Sequence, residues 1–89
     1  MDILIVEDDL AQLDGIEAIL LEKYDNMNCI KADTYKQAVK MMQANKVQLF
    51  LLDISLGDED SLQDGVALGT YIRSIPRYAK TPILFLTAL

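Results

Sequence analysis

Apolar residues recur along this chain in two alternating rhythms. Ile3-Leu4-Ile5-Val6 is a short unbroken apolar run, the pattern of a strand covered on both faces. From Leu10 the period lengthens: Leu13, Ile16 and Leu20 share one helical stripe, with Asp14, Glu17 and Glu22 off it. Asp25-Asn26 breaks that helix, and residues 27–32 read as a second strand, placed at a sheet edge by Lys31. Thr34-Tyr35-Lys36-Gln37 matches a capping box, with Thr34 as N-cap and Gln37 reaching back to its amide. The helix it opens puts Tyr35, Val39 and Met42 on one face and ends at Asn45-Lys46. Residues 47–52 are nearly all apolar, which predicts a central third strand, and residues 55–64 form a polar, acid-rich loop. A third helix spans about residues 65–75, with Leu68, Ile72 and Ile75 in register, until Pro76 stops it. Residues 82–86 are a fourth buried strand reaching Thr87-Ala88.

The order β-α-β-α-β-α-β specifies an α/β fold with a doubly wound parallel sheet. Ligands of such sheets bind beyond the carboxyl ends of the strands, where the winding direction switches. Glu7 and Asp8 follow the first strand directly, and Asp53 follows the third. In a 2-1-3 strand order those two strands are neighbours, so the three carboxylates converge on one crevice. Like charges that close raise one another's pKa unless a cation compensates. All-oxygen ligands at a shallow, hydrated site suit Mg²⁺, which keeps several waters and often shares its shell with phosphate. A carboxylate left beside such an ion can form an aspartyl-phosphate. Thr87, at the end of the fourth strand, would offer a hydroxyl to a phosphoryl oxygen.

Composition narrows the setting. Eighty-nine residues make one small domain, and 52% hydrophobic content is ample for a core. A net charge of −6 argues against a nucleic-acid surface, which needs clustered Lys and Arg. The single cysteine, Cys29, has no intramolecular partner, and the absence of histidine removes Ser-His and Cys-His catalysis. No apolar run approaches the ~20 residues that span a bilayer, and no signal peptide precedes the carboxylates. A cytoplasmic, reducing setting without membrane contact is expected.

ILIVEDD, then LLDIS, then ILFLTAL, in this order and over the whole chain, resembles the receiver domain of a two-component response regulator. The resemblance implies a flavodoxin-like receiver with strand order 2-1-3-4, and a signalling module rather than an enzyme. It makes Asp53 the phosphoacceptor for a sensor histidine kinase. Glu7 and Asp8, with Asp53 and the Ser55 backbone carbonyl, would be the Mg²⁺ ligands. Thr87 would be the switch hydroxyl, and the small Ala88 would leave the site open. Asp9 matches no ligand position. The stretch DISLGDEDSLQDGVALGTYIR is also similar to regulators with a LytTR-type DNA-binding output, so nucleic acid would be met only through a separate output domain.

Two departures stand out. Most receivers have a glycine eight positions after the phosphorylated aspartate, whereas here Gly65 stands twelve after Asp53. Receivers also continue through a fourth helix, a fifth strand bearing a lysine and a fifth helix. Residues 1–89 therefore read as a truncated receiver, with phosphorylation impaired by the missing lysine. Lys80 cannot replace it, because it precedes the fourth strand. Such a chain is expected to self-associate through an exposed fourth strand. Two rival readings stand beside this one. A nuclease- or primase-type metal enzyme would need an Asp-x-Asp pair where Asp53-Ile54-Ser55 occurs. A receiver-shaped interaction module would no longer switch. Each acidic residue also has a plain alternative, as a solvated loop residue or a partner of the first helix's dipole. Asp58-Glu59-Asp60 reads as a solvated acidic loop rather than a second metal site.

Overall fold

The computed structural model describes residues 1–56 and 64–86. Four strands, β1 (Asp2–Val6), β2 (Asn28–Ala32), β3 (Leu49–Asp53) and β4 (Ile83–Leu86), form one parallel sheet in the order β2-β1-β3-β4. Between them run helices α1 (Leu10–Lys23), α2 (Tyr35–Ala44) and α3 (Gly65–Ser74). The expected flavodoxin-like receiver order is therefore present.

The alternation of side chains along a strand divides the core into two layers. Ile3 and Ile5 of β1 join Leu51 and Leu13 of α1 on one face, with Ile16 and Leu20 packed against them. Leu4 and Val6 point the other way, with Phe50 and Leu52, into a larger cluster with Ala38 and Met42 of α2 and Leu68 and Ile72 of α3. All four residues of the Ile3–Val6 run are fully buried, as an apolar run covered on both faces requires.

Helix starts follow side-chain capping. Asp9 accepts hydrogen bonds from the Ala11 and Gln12 amides at 3.0 and 3.2 Å. Thr34 Oγ1 accepts from the Gln37 amide at 3.1 Å, as the capping box predicts. Gln37 reaches back one residue further than expected, to the Asp33 amide rather than to that of Thr34. Asp64 accepts from the Ala67 amide at 2.8 Å and opens α3.

Two boundaries and the burial of one strand differ from the apolar pattern. β3 begins at Leu49, although Val47 before it is buried. After α3 a 3₁₀ turn, Pro76–Tyr78, intervenes before β4. β4 is not buried on both sides: it is the edge of the described sheet, with Leu84 55% and Phe85 45% exposed.

The 3₁₀ turn delivers Tyr78, which sits almost wholly buried and edge-on to Phe50 with ring centroids 5.2 Å apart. Its hydroxyl lies 2.9 Å from the Met42 carbonyl and 2.8 Å from that of Asn45, and accepts from the Val47 amide at 3.3 Å. One phenol thus ties the end of α2 to the approach of β3. Tyr78→Phe keeps the ring but leaves the buried Val47 amide without an acceptor, at a cost of about 1–3 kcal/mol. Urea denaturation should give a lower midpoint with an unchanged slope.

Candidate functional site

β1 and β3 are adjacent in register, with Val6 opposite Leu52, so the next residues, Glu7 and Asp53, stand side by side at the carboxyl ends of the two strands. Glu7 stays in line because its amide donates to the Ala32 carbonyl of β2 at 3.1 Å. On the other flank, the Ile54 amide donates to Leu86 of β4 at 3.0 Å and fixes the turn after Asp53. Glu7 and Asp53 are 4% and 7% exposed, and Asp8 is exposed. One carboxylate oxygen from each of the three lies within 4.8 Å of the others.

The crevice they share holds about 640 Å³ and opens at the carboxyl ends of the central strands. Among the described residues, no lysine or arginine lines it. Compensation is left to backbone donors. The Asp9 amide donates to Glu7 Oε1 at 3.1 Å, and the Ser55 amide donates to Asp53 Oδ1 at 3.0 Å. For Glu7 this is not enough: burial first, and then the Asp53 charge and hydrogen bonding with Asp8 and Asp53, push its carboxyl up to about 7. A held proton is one answer to that crowding, and a bound cation is the other. The donor set is all oxygen, partly buried and open to water on one side, which fits a hydrated divalent ion.

The structure thus brings together Glu7, Asp8 and Asp53, with Ser55 on the rim of the same crevice. Thr87, Ala88 and the acidic run Asp58-Glu59-Asp60 lie outside the described residues. Lys80 lines a separate cleft with Lys46 and Arg77, consistent with its place before β4. The sequence pattern overlooked Gln12 and Ile16, one α1 turn apart, and Leu86, all of which line the crevice. Asp9 caps α1 while its amide steadies Glu7, a role signalled by an aspartate directly before an apolar-periodic run.

Residues 3–89 match the response regulator receiver domain model. The chain is 38% identical over 86 residues to the transcriptional regulatory protein YvrH of Bacillus subtilis (strain 168), covering 97% of this chain and 33% of the relative. It is 35% identical over 89 residues to the transcriptional regulatory protein BasR of Escherichia coli (strain K12), covering 99% of this chain and 36% of that protein. It spans about a third of the length of these curated relatives. In fold it is similar to the signal receiver domain of a DNA-binding response regulator from Colwellia psychrerythraea 34H, with a TM-score of 0.87 at 22% identity, covering 100% of this chain and 69% of that one. This chain belongs to the response regulator receiver domain family.

Proposed function

We propose that Asp53 accepts a phosphoryl group from the phosphohistidine of a sensor kinase, with Mg²⁺ held by Glu7, Asp8, Asp53 and the Ser55 carbonyl. The observation that carries this reading is the convergence of three carboxylate oxygens within 4.8 Å at the ends of two adjacent strands. An Asp53 oxygen attacks phosphorus, the P–N bond to the imidazole breaks, and the ring nitrogen leaves with the bonding pair and takes up a proton. The ion supplies positive charge beside the phosphoryl oxygens, which three carboxylates by themselves would repel. The Ser55 amide keeps one Asp53 oxygen aimed, leaving the other for attack. By the resemblance, Thr87 is proposed as the switch hydroxyl that contacts a phosphoryl oxygen, and the small Ala88 as the residue that leaves the site open. The chain acts as a signalling module and not as an enzyme.

Incubation with acetyl phosphate, followed by intact-mass measurement, tests this reading. A phosphoryl adduct should form with Mg²⁺ and be absent with EDTA or in Asp8→Asn. Equal adduct in EDTA would refute the metal requirement.

The cellular setting is proposed to be cytoplasmic; no helix among the described residues is long and apolar enough to cross a membrane. Output is proposed to be transcriptional, through sequence outside residues 1–89, because both curated relatives carry that description. For residues 1–89 as an isolated chain we also propose self-association through β4. Among the described residues that strand pairs only with β3, and its exposed Leu84 and Phe85 bear no charge to blunt the edge. Sedimentation equilibrium should give a mass above 10.0 kDa that Phe85→Lys reduces. A clean 10.0 kDa species at every concentration would refute it.

A further inference from the structure

We propose that Gly65, twelve residues beyond Asp53, is a positioning residue for phosphoryl transfer: its bare Cα lets the start of α3 seat directly on the Asp53–Ile54 peptide. This inference rests on Asp53 being the phosphoacceptor. A Cβ built on Gly65 would overlap the Asp53 carbonyl oxygen, 2.7 Å from the carbonyl carbon and 2.9 Å from Ile54 Cα. Everything it meets is backbone, which cannot swing aside as a side chain can.

Ile54 itself is held at both its amide and its carbonyl. The Gly65 amide donates to the Ile54 carbonyl at 3.2 Å, while the Ile54 amide donates to Leu86 of β4. Asp64, next to Gly65, anchors the helix end through the Ala67 amide. The chain thus returns, at Gly65, to the backbone of Asp53 and Ile54. Any side chain at 65 must push α3 and the Asp53 backbone apart. Displacement of a reacting group by about 1 Å can cost about a hundredfold in rate.

Gly69, one turn further along α3, provides the contrast. A Cβ there would meet the Phe85 ring tip, 2.9 Å from Cζ, and that ring is exposed enough to move. Glycine-to-alanine changes at 65 and 69 therefore load different atoms, backbone at 65 and a movable ring at 69.

The test compares the wild-type chain, Gly65→Ala, Gly69→Ala, Asp64→Ala and Asp53→Asn. Acetyl phosphate labelling at saturating Mg²⁺ is expressed per folded molecule, and ¹⁵N NMR follows the Ser55 amide that donates to Asp53. Gly65→Ala should lose at least about tenfold in labelling rate and shift the Ser55 amide. Gly69→Ala should do neither. Asp64→Ala, which loosens the first turn of α3, should label more slowly than Gly69→Ala. If Gly65→Ala does not fold, Asp64→Ala decides, and a rate there equal to that of Gly69→Ala overturns the inference. A folded Gly65→Ala with the wild-type rate and an unmoved Ser55 amide also overturns it, provided Asp53→Asn has lost the label. Labelling of Asp53→Asn at the wild-type rate would instead remove the phosphoacceptor reading, and this inference with it.

Discussion

Asp53→Asn should take up no phosphoryl group from acetyl phosphate while keeping its fold. The substitution is isosteric, and the amide oxygen can still accept from the Ser55 N–H that now meets Oδ1. Gly65 still closes on an unchanged backbone. What is lost is the anionic nucleophile, since a carboxamide does not attack phosphorus at neutral pH. The metal-free variant should also gain stability near neutral pH. The Asp53 charge is among the causes that hold the Glu7 carboxyl up, and removing it relieves two buried, crowded carboxylates. Loss of label with a melting point at or above that of wild type is the expected pair of results. Loss of label accompanied by unfolding would assign Asp53 to structure alone.

The second large effect concerns pH. In the folded chain Glu7 titrates at about 7, against an ordinary value of 4.5, because burial and its carboxylate neighbours disfavour its charge. Between those values the folded state therefore holds a proton that the unfolded state has released. Stability contributed by this group is present below the ordinary value and is lost as pH rises towards the folded value. The loss is at most about 3 kcal/mol, a large share of a small domain's margin. Urea midpoints measured in EDTA should fall from about pH 5 to about pH 8 and then level off. With the proposed metal site, saturating Mg²⁺ should oppose that fall, because the ion would require the deprotonated carboxylates. Glu7→Gln, which carries no titrating proton, should flatten the EDTA profile. A profile in wild type as flat as in Glu7→Gln would contradict the burial argument.

Much of this was legible in the residues themselves. The run Ile3–Val6 declares a two-sided strand because nothing polar interrupts it, and all four side chains are indeed buried. Lys31 marks β2 as an edge, and its ammonium reaches outward to Asp14 and Glu17 of α1 at 3.3 and 3.2 Å. Glu7 and Asp53 converge because the strand order makes β1 and β3 neighbours; alternation of elements implies a doubly wound sheet, and the receiver resemblance supplies that order.

The misses have physical reasons. Tyr78 follows a helix-stopping proline, so local pattern suggests a loop; only its contacts with Phe50 and with the end of α2 make it core. The β4 side chains are apolar enough to read as buried; the exposed edge is expected from the receiver resemblance, because the strand's own pattern does not encode what lies against it. The close approach of Gly65 to Asp53 depends on where α3 returns in space. Its sequence trace, a glycine displaced by four positions from the usual spacing, shows a difference without showing what it touches. The cap formed by Asp9 hid beside two more prominent carboxylates.

Asp53 is proposed as the one carboxylate that carries the phosphoryl group. Reduction of the Mg²⁺-dependent adduct with borohydride converts an acyl-phosphorylated aspartate to homoserine, and peptide sequencing by mass spectrometry locates it. Homoserine is expected at position 53, with no reduced side chain at any other acidic residue. Homoserine at position 8 or 9, 5-hydroxynorvaline at position 7, or an adduct that resists borohydride, would contradict it.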